Sequence, residues 1–207
     1  THRQSSAASD VYKRQTQSNG QGHETVFAQF LSDQTGIPAE KITVIQGDSD
    51  LIPNGGGTGG SRSVTVQNNA TLATVEKVIR SFSQYLAEKI EVDVKDIEFD
   101  DISFRISGSN FAPNMLEVAK MAFDDQRSDL LTHSAKVTLD ARSFPNGAHF
   151  AEVEIDPETG FIQVVRYSVV DDFGNLINPM LAEGQVHGGV AQGIGQALYE
   201  HVAFDQE

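Results

Sequence analysis

Asn54-Gly55-Gly56-Gly57-Thr58-Gly59-Gly60-Ser61-Arg62-Ser63 is the stretch on which the reading of the whole chain turns. Five glycines in ten residues leave almost nothing to pack in a core. What remains is a permissive backbone, three hydroxyls (Thr58, Ser61, Ser63) and the Arg62 guanidinium. Backbone N–H groups that converge without Cβ atoms in the way form an anion-binding nest, and an arginine beside them adds charge. Taken alone, the run fits either a flexible linker or a loop wrapped around a phosphate-bearing ligand.

The flanking sequence favours the loop. Ile42, Val44 and Ile45 predict a short β-branched strand ending at Gly47. Beyond the loop, Val75, Val78, Ile79, Phe82 and Leu86 keep a 3.6-residue period, predicting a long helix over 66–90 that needs a partner surface. A glycine loop between strand and helix is a place where α/β proteins often bind ligands. Upstream, Val26, Phe27, Phe30 and Leu31 share one face of a helix over 23–35, with Gly36 and Pro38 as stop signals. Gln21-Gly22-His23 then stands at that helix's N-terminus, where unpaired N–H groups and the dipole favour anions or carbonyl oxygens.

Further along, alternation over 92–108 predicts a small hairpin. Asn114 and Glu117 have capping-box spacing and open a short helix to 123, followed by a charged surface loop over 124–132. Val137 and Leu139 predict a strand from Ala135 onward, and Phe144-Pro145-Asn146-Gly147 a turn. Strands over 149–155 and 161–170 flank the hairpin turn Asp156-Pro157-Glu158-Thr159-Gly160. A last helix is expected over 180–201, and Val202-Ala203-Phe204 reads as the start of another strand. The expected class is α+β, helices packed on mixed β-sheets, with no linker that divides the chain.

The last helix carries Gly184-Gln185-Val186-His187-Gly188-Gly189-Val190-Ala191-Gln192-Gly193-Ile194-Gly195-Gln196. Each interior glycine costs a helix ~0.8–1 kcal/mol relative to alanine, so these five forgo ~4–5 kcal/mol. That is a large fraction of a domain's net stability. Something must approach this backbone closely. One candidate is another helix, given the four-residue spacing of Gly184/Gly188 and Gly189/Gly193. The other is a cofactor, to which Gln185 and Gln192 offer amide groups.

Composition narrows the function classes. The chain has 207 residues, 39% of them hydrophobic, no cysteine and a formal net charge of -14. Without cysteine it holds no disulfide, thiolate metal site or iron–sulfur ligand. The acidic balance argues against nucleic acid and anionic membrane as partners. No apolar run approaches the ~18 residues of a membrane span, so the cytoplasm is the expected location. At the N-terminus, Asp10-Val11-Tyr12-Lys13-Arg14-Gln15 is the translation of GAT-GTG-TAT-AAG-AGA-CAG, which resembles the transposon end used to fragment DNA for sequencing. Residues 1–15 are therefore expected to be a translated adapter, disordered, with 16–207 a domain cut at both ends.

Several familiar motifs fail. Gly55, Gly57 and Gly60 match GxGxxG, but the position twenty beyond holds Arg80 rather than a ribose-binding acid. Ser61 and Arg62 stand where a phosphate loop needs Lys and Ser or Thr. Asp48 and Asp50 begin like a calcium loop that lacks its final Glu. His23, His149 and His187 lack metal-ligand spacing, and Asp171-Asp172 reads as a solvated strand end rather than an acid/base pair.

Three features in order, Asn19-Gly20-Gln21-Gly22-His23-Glu24-Thr25, the Gly55–Ser63 loop and Gly184–Gln196, resemble the molybdenum-binding large subunit of the molybdenum hydroxylases. That family includes xanthine dehydrogenase, aldehyde oxidase and aerobic carbon monoxide dehydrogenase. The resemblance covers 16–207, including Phe144–Gly147 and Asp171-Asp172-Phe173-Gly174. It implies a molybdopterin cofactor with molybdenum, commonly the cytosine dinucleotide. Carried over by position, Gln21, Gly22 and His23 would lie at the molybdenum or pterin end. Thr58, Gly59, Ser61 and Ser63 would hold pterin and phosphate groups, with Arg62 as a phosphate partner on physical grounds. Gln185, Gln192 and Gly193 would meet the cofactor from the last helix. Gln67-Asn68 departs from the small residues usual in relatives.

The resemblance further implies hydroxylation of an aldehyde, N-heterocycle or similar substrate, with water as the oxygen source and a glutamate base expected beyond Glu207. Electrons would leave through iron–sulfur and FAD partner subunits, in a dimer of heterotrimers. A non-redox nucleotide- or phosphate-binding module is the alternative, and a structural domain packing its glycine helix on another helix a third.

Overall fold

The structure, a computed structural model, describes residues 16–52, 57–140 and 143–204, and the backbone of 10–14. It divides into two compact units, 1–142 and 143–207, where the sequence offered no dividing linker.

The first unit opens with β1 (Asp10–Arg14), paired in parallel with β2 (Ile42–Gln46) so that Asp10 faces Ile42 and Arg14 faces Gln46. Of the segment expected to be disordered over 1–15, residues 10–14 take strand backbone; residues 1–9 and 15 lie outside the described residues. An exposed strand edge presents unpaired N–H and C=O groups and accepts extended backbone almost regardless of its sequence. Between them α1 (His23–Thr35) has the expected bounds. It ends at Gly36, whose φ of 68° lets its N–H donate back to Ser32 O at 2.8 Å.

The long helix α2 (Ser63–Ile90) starts three residues before the predicted 66. Its first turns bury Ser63, Gln67, Asn68 and Thr71, and only later Val75, Phe82 and Leu86. A search for apolar periodicity therefore misses its beginning. The hairpin of β3 (Ile97–Phe99) and β4 (Phe104–Ile106) forms as expected. Next, α3 (Met115–Asp124) carries a complete capping box: Glu117 N donates to Asn114 Oδ1 and Asn114 N to Glu117 Oε2. The core gathers on Phe27, Leu86, Phe104 and Val118, all fully buried, with the Phe104 ring 4.8 Å from Phe99 and 6.2 Å from Phe82.

Within the loop expected over 124–132, Ser128–Leu131 coil into a short 3-10 turn. The strand expected from Ala135 does not form. Ala135, Val137 and Leu139 alternate with exposed neighbours as a strand would, yet no ladder pairs them among the described residues.

The second unit is a hairpin and a helix. β5 (Asn146–Ile155) pairs antiparallel with β6 (Ile162–Asp172), with an irregularity at Glu152/Val153. Asn146 and Gly147, expected in a turn, already belong to β5. Asp156 Oδ1 accepts from Glu158 N and Asp156 O from Gly160 N, closing the predicted turn. α4 (Pro179–Leu198) is capped by Asn178, whose side chain accepts from Leu181 N at 3.1 Å. It stops before the predicted 201, and 202–204 form no strand. No described residue of this unit is buried; Phe150 is 66% and Val170 72% exposed. An isolated two-stranded hairpin is marginally stable at best in water. The α+β class holds, with paired strands rather than broad mixed sheets among the described residues.

Candidate functional site

In the first unit the chain rises through α1 and returns through β2, and the glycine loop leads from β2 into α2. The start of α1, the end of β2 and the start of α2 therefore share one end. Gln17 ties them. Its carbonyl accepts from Thr58 Oγ1 at 2.6 Å, across 41 positions of sequence. Its side chain lies against Gly47, where an added Cβ would approach to 3.3 Å. The turn before α1 and the end of the glycine loop are thus fastened together, so the linker reading fails for 57–63. Asn54, Gly55 and Gly56 lie outside the described residues.

The two helices that start here differ from the other two. α3 and α4 have asparagine caps, whereas Gly22 before α1 and Arg62 before α2 provide no side-chain cap. Their first N–H groups remain available to an outside acceptor, and the helix dipole favours that acceptor being anionic. Gly22 has a φ of 71°, and the loop places both Gly60 (66°) and Ser61 (52°) in the left-handed region. For Ser61 that conformation costs about 1–2 kcal/mol, the kind of local strain found at ligand clamps.

The sequence-predicted residues separate by exposure. Arg62 is exposed at the mouth of α2 and makes no ion pair among the described residues. Gly59 and Ser61 are exposed, and an added Cβ at Gly57, Gly59 or Gly60 would meet nothing within 4 Å. Gln21 turns back on its own loop, its Oε1 accepting from Asn19 N at 2.6 Å. The Thr58 hydroxyl proton is committed to Gln17, and Ser63 is buried at the first position of α2. His23 lies inside, 2% exposed, its ring 5.0 Å from Phe27. Burial lowers its pKa, against a smaller upward pull from the Gln46 side chain. It is therefore a neutral support under the turn.

In the second unit α4 half-buries Ala182, Val186, Val190, Ile194 and Leu198, a stripe at four-residue spacing. Gln185 and Gln192 stand two turns apart on another face, with Gly188 and Gly189 between them and Gly193 alongside. An added Cβ at Gly184, Gly188, Gly189 or Gly193 would meet nothing within 4 Å. The bare backbone is accordingly not explained by anything packed on it within this unit. Gln192 donates to Glu200 Oε1 at 2.9 Å, leaving its amide oxygen available.

Asp48 Oδ1 accepts from Asp50 N and Leu51 N, an ordinary turn. Asp171 and Asp172 point apart: Asp171 Oδ1 meets His149 Nε2 at 3.2 Å, while Asp172 Oδ1 accepts from Gly174 N. Among the described residues no three His, Cys, Asp or Glu side chains gather as a metal site, and no helix is long and apolar enough to cross a membrane. Sequence reasoning missed Gln17, for a backbone carbonyl acceptor leaves no residue-type signal. It also missed the buried polar face of α2, whose one hint was Gln67-Asn68.

The donor set of the first unit is therefore backbone N–H groups, hydroxyls and one guanidinium. It suits a large polar ligand carrying phosphate, as a pterin dinucleotide does. Over residues 11–207 the sequence matches the family described as molybdopterin cofactor-binding domain. It is 34% identical over 196 residues to the carbon monoxide dehydrogenase large chain of Afipia carboxidovorans, covering 93% of this chain and 24% of that one. It is 32% identical over 193 residues to the 6-hydroxypseudooxynicotine dehydrogenase complex subunit gamma of Paenarthrobacter nicotinovorans, covering 91% and 24%. The crystal structure of a Cu,Mo-CO dehydrogenase superposes with a TM-score of 0.84 at 33% identity, covering 94% of this chain and 25% of that one. The chain thus spans about a quarter of the length of the curated relatives it matches.

Proposed function

The chain belongs to the molybdenum hydroxylase large-subunit family through its molybdopterin cofactor-binding domain, and on that premise we propose that it holds the cofactor in its cytosine dinucleotide form. The supporting observation is, in the first unit, two uncapped helix N-termini beside a strained glycine loop whose arginine makes no ion pair among the described residues; the second unit by itself carries a bare glycine face between two glutamines. Gln21, Gly22, Gly59, Ser61 and Arg62 hold the pterin and phosphate portion from the first unit. Thr58 and Ser63 brace the loop, and His23 supports the turn from below. From the second unit, Gln185 and Gln192 offer amide groups, and Gly193 leaves room for close approach.

When bound, the cofactor supplies a two-electron redox centre. The residues of this chain bind and orient it; none is assigned to proton transfer. The whole enzyme is then an oxidoreductase that hydroxylates an aldehyde, an N-heterocycle or a similarly small substrate with oxygen from water. Relatives named for carbon monoxide and 6-hydroxypseudooxynicotine support small-molecule chemistry. Iron–sulfur and FAD subunits would carry the electrons away, in a dimer of heterotrimers in the cytoplasm.

Arg62→Ala tests the assignment in the intact subunit that carries this segment. A charge-assisted hydrogen bond contributes ~1.5–3 kcal/mol, so dinucleotide affinity should fall ~10–150-fold. Retained pterin, read as fluorescence after oxidative release, and retained molybdenum, read by mass spectrometry, should fall together. The unfolding midpoint should not move, because the Arg62 side chain makes no ion pair or hydrogen bond among the described residues. Full retention of both would remove the loop from the site.

A further inference from the structure

In the second unit His149 is held at both ring nitrogens. Its Nε2 lies 3.2 Å from Asp171 Oδ1, and its Nδ1 lies 3.3 Å from the Tyr167 hydroxyl. The chemistry of the partners settles which atoms carry protons. A carboxylate only accepts, so Nε2 bears the hydrogen and donates to Asp171. In the neutral ring Nδ1 is then a bare acceptor, and the Tyr167 hydroxyl donates to it. The order is phenol, imidazole, carboxylate.

The register of the hairpin builds this order. β5 and β6 pair Gly147 with Asp171, His149 with Val169 and Ala151 with Tyr167, ahead of the irregularity at Glu152/Val153. Strand side chains alternate, so these six stand on one face with His149 in the middle. Asp171 and Tyr167 are its diagonal neighbours, at a spacing that long and aromatic side chains span. Each faces a small residue across the ladder. A Cβ at Gly147 would collide with Asp171 Oδ1, so the carboxylate occupies the space that a side chain would fill. Ala151 adds only a methyl group opposite Tyr167, whose ring meets the His149 ring edge to face with centroids 5.9 Å apart.

A nucleophile within reach of a base that a third group orients is the arrangement that activates hydroxyls for covalent chemistry. We propose that Tyr167, with His149 as its base and Asp171 as the orienting carboxylate, is an acyl-accepting site whose phenol oxygen takes an acyl group from an activated acyl donor. The phenol oxygen bonds to the acyl carbon as the bond from that carbon to the leaving group breaks. The phenol proton passes to His149 Nδ1, and the imidazolium that forms lies against the Asp171 carboxylate. It then returns the proton to the leaving group, and the product is an aryl ester of Tyr167. No oxidant or reductant is required, and the step uses none of the residues assigned to the cofactor.

Other tyrosines provide the reference within the same molecule. Tyr199 is 80% exposed and its hydroxyl makes no hydrogen bond among the described residues, whereas Tyr167 is 37% exposed. Tyr85 is buried and donates to Asp125. Exposure alone ranks acetylation by N-acetylimidazole as Tyr199, then Tyr167, then Tyr85; activation reverses the first two. Acetylation of the full chain at neutral pH, followed residue by residue by mass spectrometry, should show Tyr167 reacting at least ~10-fold faster than Tyr199. That is below the ~10²–10⁴-fold that a positioned base contributes in an enzyme, because the His149 side chain is exposed. His149→Phe keeps a strand-favouring ring and removes the base, so the lead of Tyr167 should vanish. Asp171→Asn should reduce it. Tyr199 reacting first in the unaltered chain, or Tyr167 keeping its full lead in either variant, overturns the proposal.

Discussion

Replacing Gly184, Gly188, Gly189 and Gly193 together by alanine should push folding and ligand binding in opposite directions. Each replacement recovers ~0.8–1 kcal/mol of helix propensity, ~3–4 kcal/mol for the four. No collision offsets the gain, because a Cβ built at any of these positions meets no atom within 4 Å. Against a typical net stability of ~5–15 kcal/mol that is a large effect. Far-UV circular dichroism of the chain should show more helix, persisting to higher denaturant. In the intact subunit the same methyl groups would occupy the surface against which the cofactor lies, and molybdenum and pterin content should drop. A variant that gains helicity and keeps its full complement of cofactor would refute the assignment of the glycine face. A variant that loses helicity would show that the face is covered from within the chain.

Other perturbations test the frame around the site. Gly36→Ala should destabilise the first unit by ~2–4 kcal/mol, measured by chemical denaturation. The residue has φ 68°, and its Cβ would stand 2.9 Å from Ile102 Cα and 3.0 Å from Asp101 O. Asp100 closes the β3–β4 turn by accepting from Ser103 N and Ile102 N, and the Arg105 guanidinium beside it contributes most to holding its pKa down to about 2. A depressed carboxyl contributes stability above its unfolded pKa of ~3.9 and loses it as pH falls toward 2. Asp100→Asn should therefore flatten the acid limb of the unfolding midpoint between those values and leave the neutral limb parallel. We also propose that the backbone of β1 is foreign sequence seated on the free edge of β2. DNA recovered upstream of Thr16 should lack the six codons that encode Asp10 to Gln15, and their presence in the source genome would contradict this.

What could be read in advance follows from where each signal lives. α1 was legible to the residue because a period of apolar side chains and a glycine stop coincide with its physical ends. The capping box of α3 was legible for the same reason, since its chemistry resides in two side chains at fixed spacing. The start of α2 was not, because its first buried turns are polar and look like surface. The segment after Ala135 shows the converse: alternation survives in its burial, but a strand also needs a partner backbone, and a single stretch cannot announce one. The site was visible as residue types, glycines, hydroxyls and glutamines. It was not visible as geometry, since the bond from Thr58 to the carbonyl of Gln17 and the inward turn of His23 depend on tertiary packing.

The central claim, that the two loops of the first unit hold a molybdopterin dinucleotide, meets its most direct test in a crystal structure of the cofactor-loaded subunit. Data collected across the molybdenum absorption edge would locate the metal without reference to any assigned residue. The account predicts a pterin dinucleotide contacting Gln21-Gly22 and the Gly59–Arg62 stretch of the first unit. A cofactor seated elsewhere, with these two elements facing only solvent or protein, would contradict it.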